Sequence, residues 1–217
     1  PLRAEWERKA EARKPVRDFR AALLKNPPSI IAEVKKASPS KGIFTGDFRP
    51  VEIAKTYENG GAAALSVLTD QDFFQGSLAD LVAARAAVEI PVLRKDFTID
   101  EVQIFEAAAH GADAILLIAA ILNASEMRRF RECAARFGMA AIVEVHDEGE
   151  LAPALESGAE IVGVNNRNLH TFETKLETSL RLAEKIPSGI VKVAESGTAT
   201  NRSEEHTSEL QSHHDLV

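Results

Sequence analysis

The chain is nearly devoid of cysteine: Cys133 is the only one. A lone thiol cannot close an internal disulfide, which excludes a disulfide-stapled secreted scaffold and fits a reducing compartment. Cys133 is expected to be a small buried apolar residue on a helix. A basic excess is also missing. The formal net charge is −7 over 217 residues, the opposite of the clustered positive charge that a nucleic-acid surface needs. A small anionic ligand stays compatible, because a local group of lysines can outweigh the global sign. No apolar run reaches the roughly 20 residues of a membrane span, and the amino end carries no signal-peptide pattern. The expectation is a cytoplasmic protein that engages neither nucleic acid nor membrane. An initiating methionine is absent too; the sequence opens on Pro1, so its amino end is expected to be incomplete.

What is present organises itself by rhythm. Pro1 to Asn26 is rich in Arg, Lys, Glu and Ala with interspersed Leu and Phe, reading as one or two amphipathic helices stopped by Pro27 and Pro28. Short aliphatic and β-branched runs then recur at Ile30–Val34, Ala63–Leu68, Ile90–Leu93, Ala114–Ile118, Ala140–Val143, Glu160–Val164 and Ile190–Val193. Stretches of helical spacing separate them, among them Ser77–Val88, Asp100–Ala109, Ser125–Phe137 and Asp147–Glu156. Continuous apolar strands alternating with helices indicate a parallel sheet buried on both faces.

An internal repeat sharpens this reading. Gly61-Ala62-Ala63, Gly111-Ala112-Asp113 and Gly158-Ala159-Glu160 each close a helix and open a strand, where the residue past the helix end often needs a positive φ. Two strand–helix units separate successive copies, which suits a barrel better than an open doubly wound sheet. The fold expected is α/β: a (β/α)8 TIM barrel with an N-terminal helical extension, truncated after strand 7, since the count of strands stops one short of closure. The extension is placed at residues 1–29 and the incomplete barrel at 30–201. Residues 202–217 break the pattern; Arg202–Ser212 resembles one frame of a sequencing adapter read as protein, so this tail is expected to be non-native. The pair His213-His214 is accordingly not read as a metal site.

In a (β/α) barrel, mid-strand residues fill the interior and chemistry sits where strands end. The first run ends in Glu33, Val34 and Lys35, and residues two apart on a strand share a side. The third gives Arg94-Lys95-Asp96-Phe97, the fifth Glu144, the sixth Asn165-Asn166-Arg167-Asn168-Leu169, and the seventh Glu195-Ser196-Gly197. Any one of these could be a structural ion pair. Five strand ends of seven carrying such groups point to an active site, in which opposed lysines and glutamates shift one another's proton affinity. Other residues read more plainly. His110 closes a helix, where a positive charge complements the dipole. His146 reads as a surface-loop histidine near the rim, and His170 as loop. Phe73 and Phe74 lie in a polar loop after the second strand and suggest a wall or lid for a flat ligand, with packing against the rim as the alternative.

These strings resemble the indole-3-glycerol-phosphate synthase family. The matching pieces are IIAEVKKASPSKG (Ile30–Gly42), SVLTDQDFFQGS (Ser66–Ser77), PVLRKDF (Pro91–Phe97), ILLI (Ile115–Ile118), IVEVH (Ile142–His146), VGVNNRNL (Val162–Leu169) and VKVAESG (Val191–Gly197). The resemblance runs from the N-terminal extension through the seventh strand and implies a carboxy-lyase of tryptophan biosynthesis, without metal or organic cofactor. Its substrate would be 1-(2-carboxyphenylamino)-1-deoxyribulose 5-phosphate. The resemblance makes Lys95 the general acid at the ribulose carbonyl oxygen and Glu144 the acid–base partner for dehydration. Glu33 and Lys35 would support them, Lys35 near the substrate's phosphate and carboxylate. Asn165 and Arg167 would hold polar groups, and Glu195 and Ser196 would lie by the ribulose end. Ser38, Phe74, Phe97, Leu116 and Leu169 would wall the anthranilate ring, with Gly197 supplying half of a phosphate site. The implied partners are a small phosphorylated substrate and, unless the enzyme is a monomer, a fused or associated enzyme of the same pathway.

Two other readings compete. A different phosphosugar barrel, such as phosphoribosylanthranilate isomerase, would rely on a cysteine at a strand end, and none is found there. An inactive truncated barrel fragment is the other, since losing one strand can remove more than the ~5–15 kcal/mol of a domain's stability.

Overall fold

The computed structural model describes residues 2–13, 16–39, 42–44, 46–167 and 177–196. Helices α1 (Leu2–Glu11) and α2 (Phe19–Lys25) come first, then strand β1 (Ile31–Val34) and a short hairpin of β2 (Ala37–Ser38) and β3 (Gly42–Ile43). Strand and helix then alternate: α3 (Pro50–Asn59), β4 (Ala64–Leu68), α4 (Leu78–Ala87), β5 (Val92–Lys95), α5 (Glu101–Ala109), β6 (Ala114–Ile118) and α6 (Ala124–Arg136). After these come β7 (Ala140–Val145), α7 (Glu148–Glu156), β8 (Ile161–Asn165), α8 (Glu177–Ala183) and β9 (Val191–Glu195). Seven of the described strands are parallel and separated by helices, so the fold is of the (β/α) barrel class.

The chain divides into two compact units. The first comprises Pro1–Leu116 and Phe130–Ala140, and its parallel strands run in the order β1-β4-β5-β6. One register row reads Glu33, Ser66, Leu93, Ala114 and the next Val34, Val67, Arg94, Ile115. The second comprises Leu117–Arg129 and Ala141–Val217, with β7, β8 and β9 paired in sequence. Its rows are Glu144, Gly163, Val193 and then Val145, Val164, Ala194, with Asn165 opposite Glu195 at the end.

Local chemistry accounts for these elements. Strands β4 and β6 are buried at every position, as strands covered on both faces must be. Helix α5 begins with a reciprocal capping box: Asp100 Oδ1 accepts from Val102 N at 2.8 Å and Gln103 Oε1 accepts from Asp100 N at 3.0 Å. Ser77 and Asp147 cap α4 and α7 through single acceptor oxygens. At the repeat, Gly61 and Gly111 adopt φ of +92° and +89°, and Gly158 follows at +81°, so each helix ends in the left-handed turn that the sequence suggested.

One buried carboxylate anchors the stretch between α1 and α2. Asp113 is fully buried at the start of β6 and accepts from Val92 N at 3.0 Å, Arg17 N at 3.0 Å and Arg85 Nη2 at 2.9 Å. Arg13 Nη2 stands 3.8 Å away, and its neighbour interactions include a bond to the Ala112 carbonyl. Burial pulls the Arg13 and Arg17 guanidiniums below their ordinary proton affinity, partly offset by the charge of Asp113. Helix α1 lies along α5, where the Trp6 ring meets His110 at 5.0 Å. His110 caps that helix and its Nδ1 bonds the Glu106 carbonyl, so its structural reading holds. Cys133 is buried as expected, and burial raises its thiol's proton affinity.

Two details differ from the sequence reading. Apolar character stops at Leu93, Val143, Val164 and Val193, but the ladders continue to Lys95, Val145, Asn165 and Glu195. The polar residues at the ends are therefore strand residues, fixed by register rather than by loops. Second, the stretch after Lys36 is a hairpin, with Ala37 opposite Ile43 and Ser38 opposite Gly42; two-residue strands leave no periodicity to read. Residues 197–217, including the expected tail, lie outside the described residues.

Candidate functional site

In the first unit, β1 carries Glu33 and is followed directly by Lys35, whose Nζ donates to Glu33 Oε1. The lysine ammonium also stands 5.5 Å from the ring of Phe44, just past the β2–β3 hairpin, within range of a cation–π attraction. Ser38 is half-buried on that hairpin. Lys95 is the last residue of β5 and is half-buried. Its neighbour Arg94 faces the other way by strand alternation and is wholly engaged. Arg94 Nε donates to Thr69 Oγ1, Nη1 to the Gln103 carbonyl and Nη2 to Asp96 Oδ2, each at 3.0 Å, with Glu106 at 2.9 Å. The charged triplet at this strand end thus splits into a structural pair, Arg94 and Asp96, and one lysine on the opposite side.

Apolar groups gather at the same strand ends. Asp70 Oδ1 accepts from Phe73 N at 2.7 Å and Phe74 N at 3.1 Å, folding the loop after β4 into a tight turn. Phe73 then meets Phe97 edge-on at 6.4 Å, both rings largely exposed, while Phe74 is half-buried. Leu116, in β6, is buried. Exposed aromatic rings cost solvation unless a ligand or partner covers them.

In the second unit the polar residues converge on Glu144. Its side chain is 5% exposed, a depth at which an ionised group needs partners. Asn165 Nδ2 donates to Glu144 Oε1 at 3.4 Å, and Asn165 Oδ1 in turn accepts from Arg167 N at 3.0 Å. Glu195 stands opposite Asn165 in register. Between them β8 carries Gly163, and a Cβ built there would fall 2.2 Å from Glu195 Oε1 and 3.1 Å from Ile142 Cγ2. The missing side chain is what lets the Glu195 carboxylate lie over the strand. Asn166, one residue on, is buried and structural: its Nδ2 donates to the Ser196 carbonyl at 3.1 Å and its Oδ1 accepts from Ser179 N at 3.0 Å. Ser196 itself sits at φ +65°, a left-handed conformation that costs a non-glycine residue about 1–2 kcal/mol.

His146 corrects the sequence reading. It is not a surface-loop residue; its side chain is 11% exposed and lies between two carboxylates. Glu150 Oε2 accepts from His146 N at 2.7 Å and lies 3.1 Å from Nδ1, while Nε2 faces Glu144 Oε1 at 3.4 Å. Burial lowers the imidazole's proton affinity, but the hydrogen bond to Glu150 and the charges of Glu144, Glu150 and Glu195 outweigh it, and the net displacement is upward. The signal available in sequence was the spacing of Glu144, His146 and Glu150 across a helix start capped by Asp147.

Among the residues expected to act, Glu33 and Lys35 are brought into contact in the first unit, beside the ends of β4 and β5. Glu144, Asn165, Arg167, Glu195 and Ser196 cluster in the second. Leu169 and Gly197 lie outside the described residues.

A family model described as indole-3-glycerol phosphate synthase matches residues 1–217. Curated relatives bear the same description. That of Aromatoleum aromaticum is 53% identical over 196 residues, covering 90% of this chain and 75% of the relative. The Desulfotalea psychrophila protein is 56% identical over 184 residues, covering 84% and 71%. The protein from Chlorobium phaeovibrioides is 58% identical over 171 residues, covering 79% and 66%.

Proposed function

The chain belongs to the indole-3-glycerol phosphate synthase family, and from that premise we propose that it closes the indole ring of 1-(2-carboxyphenylamino)-1-deoxyribulose 5-phosphate. The family is one of carboxy-lyases in tryptophan biosynthesis, acting on a small phosphorylated substrate. The reaction releases carbon dioxide and water and needs no external redox partner.

The roles follow from what each group can donate or accept. Lys95 gives a proton to the ribulose carbonyl oxygen, and the ring carbon bearing the carboxylate attacks the carbon so activated. The new carbon–carbon bond forms, carbon dioxide leaves, and the ring regains its aromatic electrons. Glu144 then takes a proton from the adjacent carbon and delivers it to the hydroxyl made in the first step, which departs as water as the double bond forms. Glu33 and Lys35 orient and charge-balance the approach to Lys95. Asn165, Arg167, Glu195 and Ser196 hold the substrate's polar end, and Ser38, Phe74, Phe97 and Leu116 face its ring.

Glu144 carries this reading. A buried carboxylate near the carboxyl end of a parallel strand, met by an amide and an imidazole at 3.4 Å, is held for proton transfer. A scaffold role would be served better by an apolar residue. We place the enzyme in the cytoplasm, working without metal or organic cofactor, as a monomer or joined to a neighbouring enzyme of the pathway. Among the described residues no helix is long and apolar enough to cross a membrane.

The test is direct. The chain is incubated with the carboxyphenylamino-deoxyribulose phosphate, and indole absorbance and fluorescence are followed. Product from the unmodified chain, lost in Glu144→Gln, supports the reading; no product from a folded chain rejects it.

A further inference from the structure

We infer that His146 is a positioning residue for Glu144: a cation, pinned by Glu150, that fixes the Glu144 carboxylate and keeps it ionised for its proton-accepting step. The inference rests on the function proposed above and deepens it.

The geometry resembles a relay of carboxylate, imidazole and carboxylate. Asp147 caps α7 by accepting from Glu150 N at 3.0 Å, which sets the helix start. Glu150, in the first turn, reaches back to take both His146 N at 2.7 Å and Nδ1 at 3.1 Å. With Nδ1 donating to Glu150, Nε2 comes to lie 3.4 Å from Glu144 Oε1. This Nε2 is buried and makes no hydrogen bond of good geometry in the described residues, so its interaction with Glu144 is ionic. An orienting acid that fixes the ring through one nitrogen and leaves the other facing the working group is the arrangement by which buried histidines act on a partner.

The charges around the ring show why a cation is wanted there. Glu144 comes from β7, Glu150 from α7 and Glu195 from β9, and all three raise the imidazole's proton affinity. Strand β8 contributes the neutral Asn165. The segment after β6, which bonds the Glu144 carbonyl through Ala119 N at 2.9 Å, has no ionisable residue from Ala119 to Asn123. Replacing the protonated ring with a neutral group removes a positive charge that lies 3.4 Å from Glu144. Its proton would then be held more tightly, and the base form needed at neutral pH would be depleted.

Three variants of the full chain test this: His146→Gln, which keeps a donor and loses the charge; His146→Lys, which restores a charge; and Glu144→Gln. The acid limb of the kcat–pH profile is expected to move up by about one unit in His146→Gln. KM should change less than twofold, and His146→Lys should move the limb back toward its original position. A second readout needs no turnover: the His146 ring is titrated by NMR in the unmodified chain and in Glu144→Gln. Its pKa is expected above the ordinary histidine value in the former and lower by about one unit in the latter. If the unmodified chain makes product and His146→Gln leaves the acid limb where it was, the inference about His146 fails while the function stands. If the unmodified chain makes no product, the function fails, and the ring titration still decides whether His146 and Glu144 are coupled; an unmoved ring pKa overturns that coupling.

Discussion

Replacing Asp113 should undo the attachment of the N-terminal extension and cost a large share of the total stability. This carboxylate has no exposed surface and serves two backbone donors, Val92 N and Arg17 N, besides the Arg85 guanidinium. Arg13 and Arg85 are themselves 8% and 16% exposed, so neither can recover water when the acid is removed. Removing one member of a buried charge group costs about 3–5 kcal/mol, because the remaining charges are left uncompensated. Leaving two buried backbone donors unpaired adds about 1–3 kcal/mol each where water cannot enter. Asp113→Ala is therefore expected to cost at least 4 kcal/mol or so, against a typical total of about 5–15 kcal/mol. Asp113→Asn keeps the shape and one acceptor and should cost less, about 2–3 kcal/mol. Urea unfolding at neutral pH measures both, with the denaturant slope checking that the transition stays two-state. Arg85→Met in the Asp113→Asn background should recover about 1–3 kcal/mol, since it removes the orphaned cation. A loss below 1 kcal/mol in Asp113→Ala, or strict additivity in the double variant, would refute the reasoning.

Three further outcomes are expected. Lys95→Met should lower kcat by about 100- to 10,000-fold, the usual worth of a positioned proton donor, while the urea midpoint stays where it was; near-normal turnover removes Lys95 from the chemistry. Gly163→Ala should leave the fold intact but displace the Glu195 carboxylate, whose Oε1 would stand 2.2 Å from the new carbon; a loss of about tenfold to 100-fold in kcat/KM is expected. That loss should vanish in a Glu195→Ala background, and equal losses in both backgrounds would contradict the steric account. The pH dependence of stability carries the third. The folded-state proton affinity of His146 is raised above its ordinary 6.5, so its contribution is fully present below that pH and is lost as pH rises through the higher folded value. The urea midpoint of the unmodified chain should fall across that window relative to His146→Gln, and parallel curves would refute it.

The sequence made the architecture readable because its signals were local. Seven apolar runs and a thrice-repeated glycine turn recur at intervals that only a βα alternation explains. The positions where reading fell short involve partners far away in the chain. Asp113 belongs to one of the repeated turns, yet its binding partner Arg17 is 96 residues distant, and nothing near either residue announces the other. His146 is hidden from a sequence reading for a different reason. A histidine after a strand and before an aspartate looks solvent-facing by composition, and only the backward reach of Glu150 from the first turn of α7 buries it.

Strand alternation decides which of the many polar residues at the strand ends can act. Hydropathy places Arg94, Lys95 and Asp96 in one cluster, and likewise Asn165 with Asn166. A two-residue period separates them. Arg94 and Asn166 turn toward helices, where Arg94 meets Gln103 and Glu106 and Asn166 Oδ1 accepts from Ser179. Lys95 and Asn165 turn the opposite way. The two sets therefore respond to substitution in different currencies: the helix-facing members should cost stability with little change in the kinetics of the surviving folded fraction, and the others should cost turnover with little change in stability. Sequence adjacency predicts neither outcome, whereas odd and even position along one strand predicts both.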